Sequence, residues 1–345
     1  MILEKILMKK NLFPLILLLA LTSTCLAVPD FIGDWRGKWI DPPKGYLQLS
    51  PELTAQVIGL GDDRYQVTFR EEFERRATPI FIGTGTSLDG VIEVAGEGFS
   101  CRITESSIRG QGLYRSKTPV PFELQPFFRV SPTMNRPAPE GAVLLFDGTS
   151  LDQWKHIQKG KEIDPVWKIH DGILRAVPKK ENNEVGGDLV SRRVFKSCEL
   201  HLEFRLPYEP GNSGQGRANS GVFFQGTYEV QILDSYGLTG DWTECGALYK
   251  VAPPKVNRCS PPGQWQTYDI IFDAAVYDAA GELLKNPVVT VCHNGELIHN
   301  QQELFEVTQY MQANRLKPHP KEAGPIELQD HGHPVEYRNI WLVER

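Results

Sequence analysis

The sequence has no run of basic residues, and its formal net charge is −6 at pH 7. Nucleic-acid-binding domains usually carry a basic patch, so this charge balance argues against a nucleic-acid partner. Apolar patterns of helical period are also scarce, whereas the 345 residues include 31 glycines and 25 prolines. This composition favours an all-β chain with many turns, and its length is enough for two domains.

Long hydrophobic runs are missing apart from one near the N-terminus. There a pair of lysines precedes an apolar run at residues 12–21. This run has the length of a secretory h-region and is too short to span a bilayer. We therefore predict a signal peptide over residues 1–27 and a secreted or periplasmic protein. Alternatively, Cys25 is a lipid-attachment site, which is the only membrane association we expect.

Zinc-binding spacings such as Cys-x-x-Cys and His-Glu-x-x-His do not occur in the sequence. Cleavage after residue 27 leaves five of the six cysteines, so at least one is unpaired or pairs with another chain. Cys245 and Cys259 flank a proline-rich loop and are predicted to close it with a disulfide in an oxidising compartment. The alternative is a pair of unpaired loop thiols.

Turn residues divide the mature chain into two units. Residues 28–130 contain alternating runs separated by Gly, Pro and Asp, which predicts a small β-domain or partial barrel. Its two tryptophans in GDWRGKW (33–39) are expected to fill the core. No catalytic constellation is evident in this unit, so we expect a binding or spacing role. Residues 131–140 hold three prolines and are predicted to be a linker.

The second unit, residues 141–345, is predicted to be a two-sheet sandwich of the jelly-roll kind. Asp171-Gly172 and Asn294-Gly295 each lie between alternating apolar runs and favour tight hairpins. Further long strands are expected in CELHLEFRLP (198–207), WQTYDIIFDAAVY (265–277) and the C-terminal VEYRNIWLVER. One sheet of such a sandwich often curves and presents a concave face to a ligand.

A polar row marks the strand YEVQILD (228–234). Glu229 and Gln231 alternate with apolar residues, and a bulge near residue 233 would bring Asp234 to their face. Carboxylates and amides hydrogen-bond sugar hydroxyls, so the row suits a carbohydrate. Alternatively, it faces water on an exposed sheet.

The preceding segment, ANSGVFFQG (218–226), is predicted to pair with this strand through a two-residue turn at Gly226-Thr227. Ser220 and Phe224 would then be neighbours of the polar row. The cross-strand pairs of this register are Phe224 with Glu229, Val222 with Gln231, and Asn219 with Asp234.

The spacing Glu-x-Gln-x-x-Asp is similar to the Glu-x-Asp-x-x-Glu row of laminarinase-type glycosidases, in which two carboxylates flank the glycosidic bond. A conventional glycosidase that uses Glu229 and Asp234 is therefore one alternative. The neutral Gln231 in the middle cannot act as the central Asp does, so the similarity is weak evidence for that mechanism.

A second polar cluster lies in ELQDHGHPVEYRN (327–339), where Gln329 and His331 are predicted to share one strand face. Histidine titrates near neutral pH and is suited to proton transfer. Alternatively, His331 and His333 are turn residues that hydrogen-bond to the backbone. Glu244 is a third carboxylate candidate, or else a solvated loop charge.

Seven motifs occur in order along this unit: LFDGTSLDQWK, WKIHDGILRA, NSGVFFQGTYEVQILDSYG, ECGALY, PPGQWQTYDIIF, VCHNGELIHN and GPIELQDHGHPVEYRNIW. Together they resemble the 3-keto-disaccharide hydrolase domain family. The resemblance covers about residues 140–345 and does not extend to residues 28–139. It implies a concanavalin A-like jelly roll in a secreted or periplasmic bacterial protein, with activity on glycosides already oxidised at sugar C3.

The resemblance also implies a chemistry. A ketone at C3 acidifies the hydrogen on C2, so a base removes it, the C1 substituent leaves, and water adds back. Glu229 and His331 are the expected base and acid, in either order, and a divalent cation is a further candidate for stabilising the enolate. A non-catalytic, lectin-like glycan-binding protein is the alternative on the same fold. The expected substrate-binding residues are Asn219, Gln231, Asp234 and Gln329.

Overall fold

The computed structural model describes residues 27–42, 52–73, 78–113, 117–305, 307 and 318–345, and it confirms the predicted all-β class. The predicted signal peptide, including Cys25, lies outside these residues apart from Ala27. Within the described ranges, no helix has the length and apolar character needed to cross a membrane.

The N-terminal part is a closed antiparallel barrel in which neighbouring strands pair in chain order and β1 pairs with β8. Trp35 and Trp39 are buried inside it, as predicted, and Trp39 packs edge-on against Phe122 with ring centroids 5.4 Å apart. Closure leaves no exposed sheet edge. The strands are β1 (Gly33–Trp39), β2 (Glu52–Gly61), β3 (Arg64–Arg70), β4 (Phe81–Leu88), β5 (Val91–Gly96), β6 (Phe99–Ile103), β7 (Ile108–Gly112) and β8 (Val120–Phe127).

The rest of the chain is a sandwich of two antiparallel sheets. Its first strands are β9 (Val143–Phe146), β10 (Trp154–Gln158), β11 (Lys161–Ile163), β12 (Lys168–His170), β13 (Ile173–Arg175), β14 (Leu189–Ser191), β15 (Cys198–Arg205), β16 (Ser220–Phe224) and β17 (Tyr228–Ile232). The others are β18 (Trp265–Asp273), β19 (Val276–Tyr277), β20 (Leu283–Lys285), β21 (Val288–His293), β22 (Glu296–Glu303), β23 (Ile326–Leu328) and β24 (Glu336–Glu344). Two short 3₁₀ turns are Lys179–Glu181 and Gly214–Gly216.

One sheet has the order β11-β10-β14-β23-β16-β17, and the other has the order β12-β13-β24-β15-β18-β21-β22, with β9 also paired to β24. Apolar side chains from both sheets meet between them, as where Phe224 of β16 stacks on Phe272 of β18 with ring centroids 5.1 Å apart. The alternation of each strand turns its polar residues to the outer faces. The smaller sheet therefore presents one such face as the candidate site.

Both predicted hairpins are present. β12 pairs with β13 across Asp171-Gly172, and β21 pairs with β22 across Asn294-Gly295. Both residues of each turn have positive φ, between 50° and 76°, as a type I′ turn requires.

The predicted disulfide is wrong, because Cys245 and Cys259 are buried free thiols. The Sγ of Cys245 lies 3.2 Å from the hydroxyl of Tyr268, and the Sγ of Cys259 lies 3.5 Å from the carbonyl oxygen of Leu233. Backbone bridges hold the intervening loop instead, joining Leu248 to Val230 and to Ala252. The two thiols also hydrogen-bond to each other, so the ends of the loop meet without a covalent bond.

Residues 131–140 form no strand, but they are docked on the outer face of the larger sheet. Ser131 Oγ lies 2.6 Å from Thr267 Oγ1, and Thr133 Oγ1 donates to Asp269 Oδ2 at 2.6 Å. The backbone N–H of Asn135 donates to Glu203 Oε1 at 2.6 Å. The connection between barrel and sandwich is therefore anchored through polar contacts along its first half.

Glu203 is the centre of this anchor. Its side chain is fully buried, and it also accepts from Arg338 Nε at 2.7 Å and from Asn339 Nδ2 at 3.0 Å. Burial by itself would raise the pKa of Glu203, but hydrogen bonds from His201, Asn339 and Arg338 outweigh it and hold this pKa at about 2. The ionised carboxylate therefore stabilises the fold above the carboxyl's unfolded-state pKa, and this contribution is lost as pH falls through about 2.

We expect Glu203→Ala to lower the free energy of unfolding by about 3 kcal/mol at pH 7. The variant removes the carboxylate that pairs with Arg338 and leaves the Asn135 N–H without its acceptor. Urea denaturation followed by tryptophan fluorescence measures this change. Glu123→Ala is the matched control, since its partnership with Arg109 is on the exposed barrel surface and contributes about 0–1 kcal/mol. Equal losses in the two variants would contradict the role given to Glu203.

Candidate active site

The hairpin of β16 and β17 has a register one residue different from the prediction. Phe224 pairs with Tyr228, and Phe223, rather than Phe224, lies opposite Glu229. The connection is therefore three residues long, and its Gln225 and Gly226 both have positive φ. A one-residue slip exchanges the faces of a strand, so the predicted register would have placed the core residue Phe224 beside a carboxylate. Burial of Phe224 in the sandwich core decides the register.

An acidic row, defined as Glu229, Phe223 and Glu327, crosses the outer face of the smaller sheet. Phe223 lies directly opposite Glu229 on β17 and directly opposite Glu327 on β23. Two strand spacings therefore separate the backbones of the carboxyl residues, about 10 Å. Phe223 is half-buried between them and offers an aromatic surface. This arrangement places two carboxyl groups on either side of a platform that suits the C–H face of a sugar ring.

Two glycines make room for these carboxyl groups. A Cβ at Gly221 would lie 2.5 Å from Glu229 Oε1, and a Cβ at Gly226 would lie 2.8 Å from Glu327 Oε1. Both distances are shorter than a nonbonded contact permits. The backbone of β16 and its turn is therefore part of the site, because no larger residue fits without displacing a carboxyl group.

The edge of β17 is covered by the segment that contains ECGALY (244–249). The N–H of Gln231 donates to the carbonyl oxygen of Ala247 at 2.9 Å, and the N–H of Tyr249 donates to that of Glu229 at 3.2 Å. Glu229 is only 3% exposed, although it points away from the sandwich core. The covering segment therefore turns an outer sheet face into a largely desolvated wall.

Both carboxyl groups of the acidic row have strongly raised pKa values. Burial, together with the negative charge of Asp188, raises the pKa of Glu229 to about 8, and Lys250 partly offsets this rise. The same two causes raise the pKa of Glu327 to about 7. Burial disfavours the ionised form, and a nearby like charge adds to this effect. At neutral pH Glu229 is therefore mostly protonated, whereas Glu327 is near its midpoint.

Asp188 connects the acidic row to the turn that follows β23. It precedes β14 directly, and its Oδ1 accepts from the N–H of Asp330 at 2.8 Å. Gln329, the residue before, donates its N–H to the carbonyl oxygen of Gly221 at 2.9 Å. The turn that carries the predicted residues Gln329 and His331 is thus attached to the same corner of the sheet.

An amide cluster, defined as Gln215, Asn219 and Gln231, lies beside the acidic row. Asn219 Nδ2 donates to Gln215 Oε1 at 3.1 Å, and Gln231 Nε2 donates to the same oxygen at 3.2 Å. The structure thus brings the predicted Asn219 and Gln231 together. Among the described residues, Asn219 Oδ1 and Gln329 Oε1 are buried acceptors with no hydrogen-bond partner. Such acceptors suit sugar hydroxyl groups.

Asp234 lies beyond the end of β17, where both of its carboxylate oxygens accept from protein groups. Arg217 Nε donates to Oδ2 at 2.7 Å, and the N–H of Tyr236 donates to Oδ1 at 3.2 Å. Its backbone N–H donates to the carbonyl oxygen of Arg217, so it does not pair with Asn219 as predicted. The arrangement favours a structural ion pair over a carboxylate presented to a glycosidic bond.

The histidines of the last turn differ in exposure. His331 is exposed and stacks parallel to His333 with ring centroids 6.2 Å apart, whereas His333 is buried with its Nδ1 2.8 Å from Glu209 Oε2. Partial desolvation of the imidazole, together with the neighbouring His333, lowers the pKa of His331, so this residue is mostly neutral at pH 7. A neutral imidazole accepts a proton, and His331 stays a candidate base at the rim of the site.

Sequence reasoning missed Glu327, Phe223 and Gln215. Glu327 carried a signal, because it lies two residues before Gln329 on a predicted strand and therefore shares its face. Phe223 was lost through the register error, and Gln215 lies in a loop whose path no periodicity describes. Glu244, the third carboxylate candidate, accepts from the N–H groups of Gly240 and Asp241 and so closes a turn.

A metal-binding cluster is not present in the described part of the chain, where no three His, Cys, Asp or Glu side chains are grouped to hold an ion. Glu229, Asp234 and His331 form no such group either. The divalent cation stays a prediction from the chemistry alone.

Comparisons with known proteins place this geometry in a family. No curated protein matches the chain significantly. A solved structure from Parabacteroides distasonis ATCC 8503, described as a "putative glycosyl hydrolase", is 35% identical with a TM-score of 0.52, and the match covers 61% of this chain and 86% of that one. A second structure from the same organism, with the same description, is 20% identical with a TM-score of 0.40, over 60% of this chain and 94% of that one.

A family profile described as a 3-keto-alpha-glucoside-1,2-lyase-like domain matches residues 141–343, which is more than half of the chain. The match coincides with the sandwich and includes the acidic row and the amide cluster. It confirms the resemblance found in the sequence motifs. The chain belongs to the 3-keto-alpha-glucoside-1,2-lyase-like family.

Proposed function

We propose that this protein cleaves glycosides whose sugar carries a ketone at C3, by elimination across C1–C2 followed by hydration. The observation that supports this function is the acidic row, in which Glu229 and Glu327 flank Phe223 with different proton affinities. A family description and a relative that both concern glycosides agree with it. We further propose, from the predicted signal peptide, that the protein acts outside the cytoplasm.

In the proposed reaction the C3 ketone acidifies the C2–H bond, and a carboxylate removes that proton. Glu327 has the lower pKa of the two row residues and is the proposed base. The electron pair of the broken C–H bond forms an enolate, and it then expels the C1 substituent. Glu229, mostly protonated at neutral pH, is the proposed acid that protonates the leaving oxygen. Addition of water to the resulting C1–C2 double bond completes hydrolysis.

The rest of the site orients the sugar. Phe223 supplies a platform, and the unpartnered oxygens of Asn219 and Gln329 are available to accept from hydroxyl groups. The ammonium group of Lys250 offsets the rise in the Glu229 pKa, so it provides positive charge near the acidic row. Such charge stabilises an enolate oxygen as it develops.

Activity on the oxidised sugar tests this function directly. We expect release of the aglycone from an aryl 3-keto-glucoside and none from the unoxidised aryl glucoside, with product formation followed by absorbance in the presence and absence of a chelator. Glu229→Gln and Glu327→Gln should each lower kcat by about 10²–10⁴-fold, because each amide retains the shape but cannot transfer a proton.

Three outcomes would redirect the proposal. Cleavage of the unoxidised sugar would favour the conventional glycosidase, and glycan binding without cleavage of either sugar would favour a lectin-like protein. If His331→Asn lowered kcat by about 10²–10⁴-fold while Glu327→Gln stayed active, the base would be His331 and not Glu327.

The pH dependence tests whether one ionised and one protonated carboxyl group act together. With Glu327 ionised and Glu229 protonated, kcat/KM should rise through about pH 7 and fall through about pH 8. Asp188→Asn should move both limbs to lower pH, since its charge raises both pKa values. A profile that only rises through about pH 8 would show that no protonated carboxyl group is required, and it would contradict Glu229 as the acid.

Gly221→Ala tests whether the glycine protects the position of Glu229. Its Cβ would overlap Glu229 Oε1, so we expect kcat/KM to fall about 100-fold, while the free energy of unfolding falls by about 1–3 kcal/mol. Gly211→Ala is the matched control, because a Cβ there meets nothing within 4 Å. Full activity in Gly221→Ala would show that the carboxyl group relocates without consequence.

A further inference from the structure

The barrel lies outside the family match at residues 141–343, yet one of its ends contacts the sandwich beside the candidate site. The contact is interlocked. Ile58 of β2 packs in the sandwich core, and Tyr208 of the sandwich packs in the barrel core. A Cβ at Gly59 would lie 2.2 Å from the Tyr208 hydroxyl, so the backbone of β2 lies directly against this ring. The two units therefore meet at a close-packed junction.

The first site loop that the barrel contacts is the one before β16. Arg217 lies between Gln215 and Asn219, two members of the amide cluster. Its Nη1 donates to the carbonyl oxygen of Gly59 at 3.4 Å, while its Nε donates to Asp234 at 2.7 Å. The loop that supplies two of the three amides is thus attached to barrel strand β2.

The second loop is the one that leaves β17. The hydroxyl of Tyr236 donates to Asp34 Oδ1 at 2.7 Å, and Arg70 Nη2 donates to the carbonyl oxygen of Gly237 at 3.5 Å. Asp34 and Arg70 are buried, and Gln56 links them, donating to Asp34 Oδ1 at 3.1 Å and accepting from Arg70 Nη1 at 2.7 Å. Barrel strands β1, β2 and β3 therefore share one polar network with this loop.

Asp234 joins the two loops, since it accepts from Arg217 in the first and from the Tyr236 N–H in the second. A continuous chain of hydrogen bonds then runs from barrel Asp34 through Tyr236 and Asp234 to Arg217. The second loop leads on to Thr243, whose carbonyl oxygen accepts from Gln215 and from Gln231. The amide cluster is consequently hydrogen-bonded to, or part of, two loops that each contact the barrel.

We infer that the barrel is a positioning module for the sugar site, in which Asp34 holds Tyr236, and through it Asp234 and Arg217, so that the amide cluster keeps its geometry. The consequence for substrate rests on the proposed function. Asp34, Tyr236 and Asp234 are positioning residues, because none of them is a member of the acidic row or the amide cluster. Buried polar networks of this kind define one arrangement, since each lost partner leaves a desolvated group.

Tyr236→Phe tests the inference with the smallest change, because it removes one hydroxyl and keeps the buried ring. Asp34 then still accepts from Arg129 Nε at 2.6 Å and from Gln56. We expect amide hydrogen exchange in peptides covering residues 214–219 and 233–240 to accelerate about five-fold, the effect of one hydrogen bond. With an aryl 3-keto-glucoside, KM should rise by a similar factor while kcat and both pH limbs stay within about two-fold.

Two further variants sharpen the comparison. Asp34→Ala removes the acceptor of the Tyr236 hydroxyl and should accelerate exchange in the same two peptides, and the double variant with Tyr236→Phe should show less than the product of the two single effects. Arg109→Gln is the control, since its partner Glu123 is on the exposed side of the barrel, and it should change neither exchange in these peptides nor KM.

Exchange is measured on the full chain without substrate, so its result does not depend on the proposed reaction. Unchanged exchange in both peptides of Tyr236→Phe, or equal acceleration throughout the sandwich, would overturn the inference. Faster exchange confined to these loops would support it even if the wild-type protein cleaved no 3-keto-glycoside, an outcome that would count against the proposed function alone. A fall in kcat with unchanged KM would also overturn it.

Discussion

The candidate site depends on keeping two carboxyl groups out of water on the outer face of a sheet. Glu229 and Glu327 point away from the sandwich core, where side chains normally meet solvent and keep ordinary pKa values. Here the segment paired to the edge of β17 covers the first of them, and the glycines at positions 221 and 226 let the carboxyl groups lie against the backbone. The negative charge of Asp188 then raises the pKa values of both carboxyl groups further. A pair with one mostly protonated and one partly ionised carboxyl group is suited to moving protons in opposite directions.

The same constraint gives a reason for the polar networks around the site. Desolvated carboxyl groups keep a fixed position only if the loops near them are fixed, and these loops contain little regular structure. Asp234 and Arg217 form an ion pair between two of the loops, and Asp34 of the barrel extends it through Tyr236. On the opposite side of the sandwich, Glu203 anchors the segment that connects the two units. The barrel is thus held to the sandwich by contacts near the site and by a separate anchor away from it.

The sequence predicted the parts of the fold that follow from local pattern. Alternation identified β15, β17 and β18, and the Asp-Gly and Asn-Gly pairs identified two hairpins, because period and turn chemistry act over a few residues. The same local reasoning failed where a turn had one residue more than expected. It assigned Phe224 to the site. In the structure Phe224 packs in the sandwich core, and Phe223 lies in the acidic row instead. The spacing of Cys245 and Cys259 correctly brought the two thiols together, but spacing along the chain does not decide whether a covalent bond joins them, and both are free.

Of the predicted site residues, Glu229, Gln231 and Asn219 come together on one side of the sheet, and the turn with Gln329 and His331 is attached to the same corner. The sequence by itself determined the all-β class, the family and the polar character of this strand face, because each is written in residue type and period. The tertiary structure alone decided the partner of Glu229, the ion pair of Asp234 and the contact with the barrel. Glu229 and Glu327, like Asp34 and Tyr236, are far apart in the sequence, and the Asp234–Arg217 pair joins two loops that no periodicity describes. All three features also depend on burial, which sets the proton affinity of a carboxyl group and has no signature in its neighbours along the chain.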